Sequence, residues 1–173
     1  MGEKVQKKIV VVSPSTNTGT VVTDYLDGFQ YTNDVLKFFN HAEGYVNVTY
    51  CNDCTDPNLS IFNYVFNYTD HLGNIRLSYG EDPDSRNLKI LEQNHYYPFG
   101  LKHTNYNSDT KEFAFNEQEN LEIKGVPAGM RLFYNFRYNS KEWQDELGLN
   151  MYDYGARNYN PAIGRWMNMD PLA

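Results

Sequence analysis

The sequence predicts an all-β fold: a curved antiparallel sheet of β-hairpins with one loop-rich excursion at residues 104–130. Three observations predict it. The apolar content is heavily aromatic, with 15 Tyr and 10 Phe among 173 residues, and tyrosine suits a pleated, half-buried surface. Alanine is scarce, and no long stretch reads as a strong helix former. Short alternating runs are separated by clusters of Gly, Pro, Asn and Asp, the pattern of strands joined by turns.

Taken in order, the chain starts with Lys4-Val5-Gln6-Lys7-Lys8, a basic run that reads as a solvated end. Val21–Tyr25 leads through Asp27-Gly28 into Phe29–Tyr31, and Asp-Gly between apolar runs is a strong hairpin signal. Val35–Phe39 follows. In Gly44–Tyr50, Tyr45, Asn47 and Thr49 alternate with Val46 and Val48, the period of a strand with one buried face. Ile61–Tyr68 is strongly β and turns through Thr69–Asn74 into Ile75–Tyr79. Asp70 can accept hydrogen bonds from its own turn, and Gly73-Asn74 tolerates positive φ.

Residues 80–88 form a polar loop, and Lys89–Tyr97 reads as a strand stopped at Pro98-Phe99-Gly100. Within the excursion, short strands are expected around Phe113–Phe115 and Leu121–Ile123. Arg131–Tyr138 alternates again. Ser140–Gly148 reads either as one or two helical turns, with Ser140 as N-cap and Gly148 past the end, or as a wide hairpin loop. Asn150–Tyr154 and Arg157–Tyr159 read as strand, bend, strand.

Composition excludes several classes. The net charge of −7 repels a phosphate backbone, so nucleic acid is not an expected partner. No apolar run approaches the roughly 20 residues of a membrane span, and Ile9–Val12 is too short for a signal-peptide core. Met1-Gly2 lacks the Ser or Thr that myristoylation wants, because Gln6 stands there. These features fit a cytoplasmic chain, or a piece of a protein whose export signal lies elsewhere. Cys51 and Cys54 form Cys-Asn-Asp-Cys followed by loop-forming residues. Three readings stay open for them: inert or locally bridged loop thiols, a weak metal site, and a redox pair. His95 and His103 flank a glycine turn without a carboxylate or Cys at ligand spacing, so neither metal nor cofactor is expected.

An internal repeat carries more information. Tyr68 precedes Gly73 by the same five positions as Tyr159 precedes Gly164, and Arg76 or Arg165 follows within three. The unit is a hairpin: a tyrosine to pack, an Asp or Asn to hold the turn, a glycine for φ > 0, and an arginine on the returning strand.

The stretches "FNYTDHLGNIRLSYG" (66–80), "NHYYPFGLKH" (94–103) and "YNSKEWQDELGLNMYDYGARNYNPAIGRWMNMDPLA" (138–173) resemble the carboxy-terminal part of Rhs/YD-repeat proteins. They are most similar to the repeat-associated core as it occurs in Bacteroidetes-type sequences. The resemblance implies an amino-terminal segment, 1–22, outside the family pattern. It implies YD-type hairpin repeats over 23–103, the excursion at 104–130, and the start of the core over 131–173.

What the resemblance further implies is a scaffold: a segment of a hollow shell, secreted or at the cell surface, that helps enclose a carboxy-terminal toxin. Its partners would be the rest of that shell or the cargo, with self-association through open sheet edges as a further expectation. In several family members the core is also an aspartic protease that frees the cargo. Tyr159, Asn160, Gly164, Arg165, Asp170 and Pro171 align with the core motif, and Asn160 stands where Asp is common. Asp170 is the candidate catalytic carboxylate. The segment that carries the family's cleavage point lies beyond Ala173, so non-enzymatic shell structure is the leading expectation. A surface module that binds glycans through its aromatics is the alternative from a different class.

For each singled-out residue a plainer role competes. Asp170-Pro171 also reads as a turn opener. Arg157 and Arg165 also read as strand arginines whose stems cover a tyrosine ring, with the head in water or paired to Asp153 or Glu146. Trp143 and Trp166 also read as core anchors.

Overall fold

The computed structural model describes residues 4–11, 19–50, 60–81, 87–103, 110–115, 121–126 and 134–170. The chain is all-β and forms two antiparallel sheets; among the described residues the only helical pieces are short 3₁₀ turns at Tyr138–Ser140 and Glu146–Gly148. The larger sheet has ten strands in sequence order: β1 (Gln6–Val11), β2 (Gly19–Leu26), β3 (Phe29–Thr32), β4 (Val35–His41), β5 (Gly44–Tyr50), β6 (Ser60–Thr69), β7 (Ile75–Glu81), β8 (Leu88–Gln93), β9 (Thr110–Phe115) and β10 (Leu121–Val126). The smaller sheet is β11 (Glu142–Gln144), β12 (Met151–Asp153), β13 (Asn158–Asn160) and β14 (Arg165–Trp166).

Turn chemistry explains the meander. Asp27 and Gly28 take φ of 44° and 84°, the left-handed pair that closes a two-residue hairpin between β2 and β3. Asn33 and Asp34, at 48° and 64°, repeat the device between β3 and β4. Gly44 must be glycine for another reason: a Cβ there would lie 2.1 Å from the Val65 carbonyl oxygen on the neighbouring strand.

The core sits where the segment beginning at Tyr134 crosses the large sheet. Phe38, Tyr45 and Val65 share one face, as their registers with Asn47 and Tyr45 require, and all are at most 1% exposed. Tyr134 stacks on the Tyr45 ring at 4.1 Å, and Phe136 meets Phe38 edge-on at 6.4 Å. Such aromatic pairs contribute about 0.5–1.5 kcal/mol each beyond burial. The opposite face carries a second row, in which Phe29 stacks on Phe39 at 5.1 Å and Phe39 meets Phe62 at 6.3 Å. That row stays open: Phe62 is 53% and Tyr64 59% exposed.

Several sequence expectations need correction. The basic start is not a solvated end; it runs into β1, which pairs with β2, and Lys4 and Lys7 are bound to carboxylates. The run predicted as a strand over Arg131–Tyr138 is described only from Tyr134. There it makes one isolated bridge, Phe136 to Glu142, because its alternate rings are spent on the face of the large sheet rather than in a ladder. Ser140–Gly148 is neither helix nor open loop. Ser140 takes φ of 53°, which no N-cap adopts, and β11 begins two residues later. The strand predicted to reach Tyr97 stops at Gln93. In the excursion, β9 and β10 are each six residues long and extend the large sheet as a hairpin.

Candidate functional site

The two sheets meet around the tip of the 94–103 hairpin, and the contact is made by tyrosine hydroxyls. Tyr96 and Lys102 bridge the base of this hairpin, and Gly100 turns its tip at φ 81°. Three successive tip carbonyls are then gripped from the carboxy-terminal segment. Tyr138 donates to Pro98 O at 3.5 Å, Tyr159 to Phe99 O at 3.1 Å, and Tyr152 to Gly100 O at 3.3 Å. The tip carbonyls have no ladder partner, so these hydroxyls meet a backbone need as well as their own. A Cβ at Gly100 would fall 2.6 Å from the Tyr138 ring, and one at Gly164 3.2 Å from the Phe99 ring. Burial pushes the Tyr152 hydroxyl well above its ordinary pKa and that of Tyr154 up to about 12.

The repeat turn is a second docking point. Asp70 Oδ1 accepts from the backbone N–H of Leu72 and of Asn74, each at 3.0 Å, and its Oδ2 accepts from the Asn74 amide at 2.9 Å. Burial works to raise the Asp70 carboxyl, but those bonds and the Arg76 guanidinium 3.8 Å away hold it below its ordinary value. The turn then binds the carboxy-terminal segment. Asn139 N–H donates to Asn74 Oδ1 at 2.9 Å, Ser140 N–H to Gly73 O at 2.9 Å, and Ile75 N–H to Arg137 O at 3.0 Å.

The matching turn at 159–164 uses the same chemistry with an amide. Asn160 Oδ1 accepts from Ala162 N–H at 3.0 Å, and Gly164 takes φ 64° as Gly73 takes 76°. Asn therefore serves this turn as Asp would, because only an acceptor oxygen is required. The tyrosines differ: Tyr159 is 9% exposed and packed, whereas Tyr68 is 65% exposed and leaves its ring in solvent.

A charge cluster that the sequence reading missed joins the sheets on their other side. Glu142, on β11, is 4% exposed. Its carboxylate accepts from Lys4 at 2.8 Å, Lys7 at 2.9 Å and the Tyr25 hydroxyl at 2.8 Å. Lys4 also reaches Asp153 at 2.7 Å, and Lys7 reaches Glu146. Burial alone raises the Glu142 carboxyl, yet the two lysines and Tyr25 outweigh it and bring it below its ordinary value. Glu142 and Asp153 stand directly opposite each other across β11 and β12. They are not a proton-sharing pair, since each is engaged by an ammonium group, Glu142 by Lys4 and Lys7 and Asp153 by Lys4. A basic run in a chain of net charge −7 was the available signal for this cluster.

The candidate catalytic Asp170 lies elsewhere. Its side chain is 45% exposed and 3.2 Å from the Arg157 guanidinium, which lies 4.2 Å over the Trp166 ring. Asp153 and Glu146 are engaged by Lys4 and Lys7 instead. Arg165 is exposed on β14, and Trp166 is 41% exposed while packing edge-on against Tyr154. Trp143 does serve as an anchor, 4.7 Å from the Tyr152 ring. His103 stacks on Tyr97 at 3.7 Å. Among the described residues no group of three or more His, Cys, Asp or Glu side chains is placed to hold a metal, and no helix is long and apolar enough to cross a membrane. Cys51, Cys54 and Pro171 lie outside the described residues.

No protein-family model matches the chain. It is 26% identical over 156 residues to salivary gland surface protein 1 of Aedes aegypti, an alignment that takes in 90% of this chain. The chain spans about 4% of the length of that relative.

Proposed function

We propose that the chain is a wall segment of an Rhs/YD-type shell, a structural element that helps enclose a carboxy-terminal toxin, secreted or held at a cell surface. The observation that carries this reading is the form of the large sheet. Ten strands follow one another in sequence order, each bonded to its chain neighbours, and among the described residues no strand pairs with the outer edges of β1 and β10. A wall that winds from hairpin to hairpin needs this topology. It also needs turn chemistry that repeats, as the Asp70–Gly73 and Asn160–Gly164 turns do. The motifs at 66–80, 94–103 and 138–173 support it through their resemblance to the family. Enzymatic cleavage gains no support from Asp170, which is solvent-facing and paired to Arg157.

The test is the structure, by electron cryo-microscopy, of the longest polypeptide encoded in frame around this chain. A hollow particle with the ten-stranded sheet in its wall supports the reading. A filled globular domain overturns it.

One observation favours a second reading, a glycan-binding surface module. The row Phe29, Phe39, Phe62 and Tyr64 presents partly exposed rings along one face of the sheet, a platform for the apolar face of a sugar. A glycan array probed with the intact chain and with Phe62→Ala/Tyr64→Ala decides it. Absence of any signal, or a signal the double substitution leaves unchanged, removes this reading.

A further inference from the structure

We propose that the outer side of β2 and the carboxylates Glu142, Glu146 and Asp153 together form a docking site for an extended, lysine-bearing peptide strand, which this chain fills with its own β1. The inference stands on the contacts of β1 and does not depend on the shell reading.

β1 is held in an unusual way for a sheet strand. Among the described residues it pairs only with β2, through the register Gln6 to Asp24 up to Val11 to Gly19, with one further bond from Tyr25 N–H to Val5 O. Two of its apolar side chains contribute little burial, since Val5 is 68% and Val10 44% exposed. What reaches inward is the pair of ammonium groups. Lys4 is shared between Glu142 and Asp153, and Lys7 between Glu142 and Glu146. Lys4 also lies 4.8 Å over the Tyr25 ring.

Without β1 the site demands an occupant of this chemistry. Glu142 would be a buried carboxylate directly opposite Asp153, with only the Tyr25 hydroxyl left as donor, a costly arrangement. The edge of β2 would expose unpaired N–H and C=O groups. A free cation answers the first need and not the second, and an uncharged strand answers the second and not the first. A strand with lysines three positions apart answers both, and Gln-Lys-Lys-Ile-Val-Val carries no acidic residue to oppose the carboxylates. This is strand addition, in which the ladder gives affinity and the side-chain sockets give specificity. The ladder to β2 and these charge contacts are what hold β1, so a second strand of the same chemistry competes for the same site.

The experiment uses the full chain with a protease site placed within residues 13–18 and cut after folding, so that β1 remains seated without a covalent link. A fluorescent synthetic peptide covering residues 2–12 is added in excess and its anisotropy followed. The same peptide is offered to the uncut Lys4→Ala/Lys7→Ala chain, whose own strand has lost its ammonium groups. Entry of the peptide into either protein is expected. Replacing Lys4 and Lys7 of the peptide by methionine, or Glu142 by glutamine in the receiving chain, should weaken binding at least tenfold, and added salt should weaken it progressively. Two results overturn the proposal: equal binding of the peptide that lacks Lys4 and Lys7, which makes the site a generic sheet edge, and failure of the peptide to enter either protein while the β circular dichroism is intact.

Discussion

Tyr159 donates its hydroxyl to the Phe99 carbonyl at 3.1 Å, across 60 residues of sequence. That bond ties the smaller sheet to the tip of a hairpin that leaves the larger one. Tyr152 and Tyr138 make the same kind of bond to the carbonyls on either side, so the tip is held by its backbone rather than by its side chains. The Phe99 ring itself is 63% exposed. The arrangement explains why tyrosine rather than phenylalanine recurs in the carboxy-terminal segment: the ring packs in the cluster while the hydroxyl reaches the turn.

Tyr152→Phe and Tyr159→Phe should each destabilise the chain by about 1 kcal/mol, the typical net worth of a buried hydrogen bond. The rings and their packing remain. Because both hydroxyls grip one turn, the double variant should depart from the sum of the singles. Urea unfolding of the four proteins measures this. Strict additivity would count against a single cooperative clamp.

Gly100→Ala should cost more than Gly148→Ala, although both glycines have positive φ, 81° and 76°. At Gly148 nothing lies within 4 Å of the added methyl, leaving only the left-handed backbone penalty of about 1 kcal/mol. At Gly100 the methyl also meets the Tyr138 ring at 2.6 Å, and overpacking of that kind adds about 1–3 kcal/mol. Thermal unfolding of the two variants ranks them, and equal shifts would mean that the clamp yields freely.

The hairpins were legible in the sequence because each rests on local chemistry. Asp27-Gly28, the Asp70–Gly73 turn and the period of Gly44–Tyr50 need no distant partner to be recognised. The segment from Tyr134 to Gly148 was not legible, because its conformation is set from outside. Tyr134 and Phe136 follow the faces of Phe38 and Tyr45, and Asn139 and Ser140 follow the backbone of the Gly73 turn. The Glu142 cluster escaped for the same reason: its donors lie 138 and 135 residues away, at Lys4 and Lys7. The Tyr159–Gly164 motif was read rightly as a turn. Its suggestion of catalysis rested on Asp170, which the fold turns toward Arg157.

Asp70→Asn should be tolerated far better than Asp70→Ala. The turn needs an oxygen that accepts from the N–H groups of Leu72 and Asn74, and Asn160 performs that task with an amide in the companion turn. Asp70→Ala removes three hydrogen bonds and frees Asn74, which is 4% exposed and carries the link to Asn139. A loss of about 1–2 kcal/mol is expected for alanine and well under 1 for asparagine. Hydrogen exchange at Asn139 and Ser140 should rise with alanine alone, and equal exchange in both variants would place the strength of the turn elsewhere.

Glu142 should make stability depend on acid. Its carboxyl in the folded state lies below the ordinary value of 4.5, so the folded chain binds fewer protons than the unfolded one. The resulting stabilisation is fully present above that ordinary value and is lost as pH falls through the lower folded value. Asp70, also depressed, acts in the same direction. Lys7 is the mirror case at the other end: its raised value gives stability that holds below 10.5 and disappears as pH climbs through the folded value. Glu142→Gln removes a buried partner of two lysines and should cost about 3 kcal/mol near neutral pH, the low end for breaking a buried pair, because Asp153 and Glu146 still receive the ammonium groups. At an acidic pH below the folded value the gap between the two proteins should narrow, since Glu142 is then protonated in the unsubstituted chain as well. Denaturant unfolding at the two pH values tests the sign directly, and a gap that stays constant would mean that Glu142 contributes through packing rather than charge.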